Sequence, residues 1–323
     1  MNIQLLSDSF VRERLPKRPA DAHKGLFGHL LAVCGCPEYR GAAALASLGA
    51  LRCGAGLLTL ACEENVIQSI ASLVPEAIFL PLPATADDMP MTIDADIDTG
   101  IRFDSGTGAR SSSGTGDHNN VRAERLRLLR EALTPASAAL IGCGRRADDV
   151  TFDELCLLAQ SSVRTLIVDA GALGCAARRP TALKSASPAL ILTPHPGEMS
   201  RLTGRSTAEI VARPAEIALT YARETGAIIV LKGHRTVIAS PDGRLFQNTT
   251  GNEGLSRGGS GDLLAGMIAG LAAQGISPLD AACCGVYLHG AAADGCAKRL
   301  SRRGMLPHDI LTDLNELFRG YEV

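Results

Sequence analysis

A chain of 323 residues with 46% hydrophobic and 20% charged residues can bury a sizeable core, and its composition excludes global disorder. A net charge of -2, with 3% aromatic residues and no Trp, gives no general pull toward nucleic acid or anionic lipid and no stacked-aromatic surface for single strands. Its longest apolar stretches are broken by Gly, Gln or His well short of the ~18 residues that a membrane span needs.

Short apolar runs alternate with Ala/Leu-rich stretches along the chain. The pattern predicts strands at 29–36, 56–62, 76–82, 138–142, 165–169, 189–193 and 227–232, with helices at 41–53, 65–74, 121–133 and 148–161 among them. Most of these strands are apolar on both faces, as buried parallel strands are. The expected fold is therefore α/β, a doubly wound, mostly parallel sheet with helices on both faces. Ser206-Thr207-Ala208-Glu209 has capping-box spacing, and Pro214 suits the first turn of a helix running to about Thr225. Residues 236–248 predict a hairpin around Pro241-Asp242-Gly243, and helices are expected over 260–274, 278–300 and 307–319. One domain spans 1–323. Residues 84–120, above all Asp94 to Asn120, are rich in Ser, Gly, Thr and Asp and predict a disordered insertion on its surface.

The ten cysteines form no Cys-x-x-Cys pair, and most sit in apolar runs such as Ala282-Cys283-Cys284. This predicts small buried thiols in a reducing cytoplasm and no zinc site. Met1 to Phe10 has no basic segment followed by an apolar core, so no secretory leader is expected.

Between Gly251 and Gly261 five glycines fall within eleven residues, just before a long helix. Glycines let backbone N–H groups approach a phosphate, and a helix N-terminus adds unpaired donors and partial positive charge. Gly258, Gly259, Ser260 and Gly261, with Asn252 upstream, are candidate phosphate contacts. Asp262 in the first helical turn is a candidate base for a hydroxyl that attacks the bound phosphate, or alternatively a helix cap. Thr193-Pro194-His195-Pro196-Gly197-Glu198 follows a strand end, where open α/β sheets bind ligands. A rigid turn leading into a helix explains it equally well. Lys232-Gly233-His234-Arg235-Thr236 places a Lys at a strand end, within reach of a nucleotide phosphate. His23-Lys24-Gly25-x-x-Gly28 and Gly41-Ala42-Ala43 are small-residue segments that close helix–strand packing would by itself account for.

Taken together and in this order, from about His23 to Phe318, these segments resemble the ADP/ATP-dependent (S)-NAD(P)H-hydrate dehydratases of the ribokinase-like superfamily. Val168-Asp169-Ala170-Gly171-Ala172-Leu173 corresponds to that family's Asp-Ala strand end. The resemblance implies a ribokinase-like fold and a lyase. In that reaction the hydroxyl of hydrated NADH or NADPH is phosphorylated by ADP or ATP and phosphate is then eliminated. It implies Asp262 as the group that activates the hydroxyl, with Ala42, Ala43, Gly144 and His195 at the hydrate. Lys232, Gly233, His234, Arg235, Thr236, Asn252 and Gly258 to Gly261 would lie at the nucleotide. Mg²⁺ is expected through phosphates and water, with no dedicated metal ligands. A homo-oligomer, up to a tetramer, is the expected assembly, with small molecules and no nucleic acid or membrane as partners. About 22 residues precede His23, too few for the epimerase domain that many relatives carry, so action on one epimer is expected. The family's usual Gly-Pro-Gly-Leu-Gly is here Gly142-Cys143-Gly144-Arg145-Arg146. The two Arg either grip cofactor phosphates or are solvated, the second being the expectation. A small-molecule kinase of the same superfamily and a non-catalytic nucleotide-binding protein are the rival readings.

Overall fold

The computed structural model describes residues 2–84, 115–183 and 186–322. Among the described residues ten strands form one sheet: β1 (Gln4–Leu5), β2 (His29–Val33), β3 (Leu57–Glu63), β4 (Ile78–Leu82), β5 (Ala138–Ile141), β6 (Thr165–Val168), β7 (Ala189–Leu192), β8 (Ile228–Leu231), β9 (Val237–Ala239) and β10 (Leu245–Gln247). Their order is β1-β10-β9-β8-β7-β6-β5-β2-β3-β4. Every pairing is parallel except those of β9, which is antiparallel to β8 and β10. The expected hairpin is thus present, grafted onto a doubly wound sheet, with Gly243 at φ 100° in its turn.

The alternation of side chains divides the core into two layers. Leu30, Ala32, Leu58, Leu60 and Leu140 face one apolar cluster with α2 (Arg40–Arg52), α10 (Ser260–Ala273) and α11 (Pro278–Leu300). Leu31, Val33, Ala139, Ile141, Leu166 and Val168 face the other, with α4 (Thr115–Leu133), α5 (Asp149–Ala159), α6 (Ala170–Arg178) and α9 (Pro214–Thr225). Strands covered on both sides must be apolar on both sides, which is why their sequences do not alternate. The remaining helices are α1 (Asp8–Arg12), α3 (Glu64–Ile70), α7 (Pro196–Thr203), α8 (Thr207–Ala212) and α12 (Ile310–Tyr321). Both halves of the Ser206/Glu209 capping box form at the start of α8.

Differences from expectation lie at element ends and in short elements. α4 begins at Thr115, so the last residues of the expected insertion are helical; the rest of that insertion, 85–114, lies outside the described residues. β1 has two residues and α6 follows β6 with no loop, so neither offers a periodic signal. All ten cysteines are free and all but Cys156 are buried. No described helix is long and apolar enough to cross a membrane.

Two features position the functional edge. The order of the strands reverses between β2 and β5, so the chain leaves their carboxyl ends in opposite directions and opens a crevice. The register also aligns Val33, Ile141, Val168, Leu192 and Ile229 in one row. The residues just beyond that row therefore emerge together. α2 and α10 then pack almost backbone to backbone: a Cβ on Gly266 would lie 2.0 Å from the Ala46 carbonyl oxygen, and one on Gly270 2.3 Å from that of Ala50. Gly266→Ala is expected to cost about 1–3 kcal/mol by overpacking. It should also lower activity, because the start of α10 must shift. Urea unfolding measures the first effect, and unchanged stability would show that the two helices part freely.

Candidate active site

The residues beyond the aligned row form a buried polar cluster. Asp169, at the end of β6, is 1% exposed. Its Oδ1 accepts from Thr193 Oγ1 at 2.7 Å and from Lys232 Nζ at 2.9 Å, and its Oδ2 accepts from Cys143 Sγ at 3.6 Å. Thr193 follows β7, Lys232 follows β8 and Cys143 follows β5, so four adjacent strands each supply one member. Glu198 Oε2 lies 3.7 Å from Lys232 Nζ. Ligand atoms of Cys143, Asp169 and Asp262 lie within 4.8 Å of one another.

Asp262 occupies the first turn of α10, whose N-cap is Gly259 at φ 94°. It is therefore not the N-cap residue, and its carboxylate accepts from its own first-turn N–H. Burial and then the Asp169 carboxylate push Asp262 up to about 6, against the pull of Lys232 and a hydrogen bond from the Cys143 thiol. A carboxylic acid with that value is poised to exchange a proton near neutrality. The neighbouring Cys34 thiol, burial and the two carboxylates hold Cys143 well above the usual thiol range, so it acts as a protonated donor. For Lys232, burial opposes the charge, but Asp169 and Glu198 outweigh it and the ammonium is retained.

The glycine run wraps the start of α10. A Cβ on Gly261 would stand 3.3 Å from Lys232 Nζ, so the lysine reaches across the sheet edge to the first turn. No described atom lies within 4 Å of where a Cβ on Gly258 or Gly233 would sit. Open space there, the partial positive charge at the start of α10 and the ammonium together make a candidate anion cradle. Gly233, His234 and Arg235 are exposed beside Lys232, and Thr236 folds its hydroxyl back onto Gly233.

Other expected residues divide by their burial. Ala42 and Gly144 meet across the crevice, where a Cβ on Gly144 would come 2.7 Å from that of Ala42. Ala43 is fully buried and is the side chain that a Cβ on Gly35 would meet, so it packs beneath the crevice. Asn252 spends its side chain on structure: Nδ2 donates to the Ala293 carbonyl and to Asp294 Oδ1, and Oδ1 accepts from Gly254 N. His195 is exposed and caps α7, its Nδ1 accepting from Gly197 N at 3.0 Å while Glu198 Oε2 accepts from its own N–H at 2.8 Å. His23 to Gly28 lies at the amino end of β2, away from the cluster, where a Cβ on Gly28 would strike the Ala273 carbonyl at 1.8 Å.

Arg145 corrects an expectation. It is not solvated but 5% exposed, with Nη2 on Glu154 Oε2 at 2.7 Å and Nη1 on the Gly35 carbonyl at 3.3 Å. Arg146 pairs with Glu38. Asp169, Thr193 and Cys143 were absent from the expected site residues. The Asp-Ala pair at a strand end was the available signal for Asp169. Ala170 beside it has φ 43°, a strained value that marks the turn from β6 into α6.

The NAD(P)H-hydrate dehydratase family model matches residues 30–316. The ADP-dependent (S)-NAD(P)H-hydrate dehydratase of Bacillus subtilis is 35% identical over 322 residues, covering 100% of both chains. The chain belongs to this family. A bifunctional NAD(P)H-hydrate repair enzyme of Moorella thermoacetica is 40% identical over 321 residues, but the chain spans only 55% of its length. Among solved structures, an ADP/ATP-dependent NAD(P)H-hydrate dehydratase from Bacillus subtilis, co-crystallised with ATP and Mg²⁺, aligns with a TM-score of 0.78 at 31% identity, covering 100% of both chains. A ribokinase-like superfamily protein from Enterococcus faecalis aligns at 0.76 and 27% identity, covering 99% of this chain and 96% of its own. The fold is ribokinase-like.

Proposed function

We propose that this chain dehydrates the S epimer of hydrated NADH and NADPH, with ADP or ATP as phosphate donor. The observation that carries this is a half-buried carboxyl held near neutrality, Asp262, in the first turn behind an anion cradle that Lys232 completes. Asp262 takes the proton of the hydrate hydroxyl as its oxygen attacks the terminal phosphorus, and the bond from phosphorus to the nucleotide breaks. The first-turn amides and Lys232 stabilise the transferring phosphoryl charge. The ring nitrogen's lone pair then expels phosphate, and loss of a neighbouring ring proton restores the dihydronicotinamide. Ala42, Gly144 and His195 border the crevice that would hold the hydrate. Gly233 to Thr236 and Gly258 to Gly261 would hold the nucleotide.

Mg²⁺ fits here as a companion of the nucleotide phosphates and not as a resident ion. The three-donor cluster of Cys143, Asp169 and Asp262 includes a thiol, a poor partner for a hard cation, and Asp169 Oδ1 already holds Lys232. Ten free thiols suit a reducing compartment such as the cytoplasm. A homo-oligomer, up to a tetramer, is the assembly to look for by sedimentation.

The test is stoichiometry. With pure hydrate, nucleotide and Mg²⁺, released inorganic phosphate and recovered reduced-nicotinamide absorbance are expected in equal amounts. Nucleotide consumption without cofactor recovery, with a phosphorylated alcohol accumulating from another substrate, would identify a kinase instead.

A further inference from the structure

Asp262 does not stand alone in its proton-transfer role. Three titratable groups act on it and two more stand behind them, each from a different element. Asp169 (β6 end) has a carboxylate oxygen within 4.8 Å. Lys232 (β8 end) is bound to Asp169 at 2.9 Å and reaches the first turn of α10. The Cys143 thiol (β5 end) lies between the two carboxylates, donating to Asp169 Oδ2 and within 4.8 Å of an Asp262 oxygen. Glu198 (α7) stands behind Lys232 at 3.7 Å. His289 (α11) hydrogen-bonds the Ser260 backbone and is driven down to about 4 by burial, so it stays neutral. Two charges of opposite sign therefore act on Asp262 at short range in a partly enclosed site, where Coulomb effects exceed those in open water.

We propose that the Asp169–Lys232 ion pair is a positioning element that sets the working pH of Asp262, with Asp169 and Lys232 acting on it in opposite directions. This rests on Asp262 being the base of the reaction proposed above. The negative charge of Asp169 disfavours a second carboxylate beside it and makes Asp262 a better proton acceptor. Lys232 favours the ionised form. Asp169 also fixes where Lys232 sits, since its Oδ1 is the ammonium's closest partner. Thr193 Oγ1 holds that same oxygen from the end of the adjacent strand β7, which leaves Oδ2 turned toward Cys143. The pair is assembled from residues 63 positions apart and almost wholly enclosed, with Asp169 2% and Lys232 18% exposed at the side chain. A lysine used only to grip phosphate would need no such buried counter-ion.

The experiment is the pH profile of kcat/KM for the wild type, Asp169→Asn and Lys232→Met. The wild-type acid limb is expected near pH 6. Asp169→Asn removes the repelling charge and leaves Lys232 attracting, so its limb should move about one unit lower. At pH 5 it would then keep a roughly fivefold larger fraction of its own plateau. Lys232→Met should move the limb about one unit higher, and Lys232→Arg should return it toward the wild-type position. Both neutralising variants also lower the plateau. A merely structural role would lower the plateau and leave the limbs in place; coincident limbs, or limbs displaced in the same direction, overturn the proposal. A second readout is independent of turnover. The difference in thermal midpoint between each protein and its Asp262→Asn counterpart, followed against pH, titrates Asp262 directly. If the wild type lacks dehydratase activity but these midpoints still move in opposite directions, the proposed reaction fails and the tuning stands. Should Asp169→Asn not fold, Asp169→Glu retains the charge and is expected to keep the limb near the wild-type position, while Lys232→Met alone still decides the direction.

Discussion

Asp262→Asn is expected to lower turnover by about 10²-fold or more while making the folded protein more stable above neutrality. The loss follows from the removal of the one group in the first turn of α10 able to take a proton from a hydroxyl at the cradle. The gain follows from linkage. Burial and the Asp169 carboxylate raise Asp262 from its ordinary 3.8 to about 6, so the fold disfavours the charged form. A carboxyl raised in this way imposes no penalty below about pH 3.8, where it is protonated in folded and unfolded chains alike. The penalty grows as pH rises toward 6 and is complete above it. It amounts to something on the order of 1–3 kcal/mol, Lys232's attraction being included in the net shift. Asparagine keeps the shape and carries no charge. Thermal unfolding at pH 7.5 should therefore show a higher midpoint for the variant, shrinking to no difference near pH 4, while calorimetry shows nucleotide binding retained. Turnover close to wild type would remove Asp262 from the mechanism, and equal midpoints at pH 7.5 would show that its carboxylate is not held under strain.

Glu154→Ala should give the largest loss of stability, on the order of 3–5 kcal/mol. Glu154 is 1% exposed and is shared by two buried guanidinium groups. Arg125, from α4, places Nε at 3.0 Å and Nη2 at 2.8 Å from Oε1. Arg145, from the loop after β5, places Nη2 at 2.7 Å from Oε2. Removing the carboxylate leaves two positive charges enclosed without their common counter-ion. Glu63, buried at the end of β3 and close enough with both arginines to act on Cys62, keeps the loss from being larger. Glu154→Gln, which preserves acceptors at the same place, should fall in between. Asp153→Asn, next door on the surface and paired with the part-exposed Arg122, should cost less than about 1 kcal/mol. Because Arg145 also ties its loop to the Gly35 carbonyl on the other side of the crevice, folded Glu154→Ala should bind hydrate more weakly than nucleotide. Urea unfolding and separate KM values for the two substrates check both parts, and a loss below about 1 kcal/mol would show that the arginines find other acceptors.

Much of the architecture was legible because it depends on near neighbours in the chain. Runs such as Leu30 to Val33 and Leu166 to Val168 are apolar at every position, and only a strand covered on both faces makes that favourable. The α8 capping box, Pro214 at the start of α9, the Gly243 hairpin and the glycine run before α10 are likewise local chemistry, readable at three to eleven residues' range. The same locality placed Asp262 in a first helical turn. What lay beyond it was decided by strand order. Asp169 meets Lys232 and Thr193 because β6, β7 and β8 are adjacent and in register, which no spacing of 24 or 63 residues expresses. Arg145 looks like a surface residue in a polar loop until α5 brings Glu154 beneath it. Ala43 and Ala42 are identical neighbours in sequence, yet helical rotation turns one into the core and the other toward Gly144. A side chain's partners and its dielectric are properties of the assembled sheet edge. The ionisation of Asp262 therefore belongs to the tertiary structure, whereas the position of that carboxyl behind five glycines belongs to the sequence.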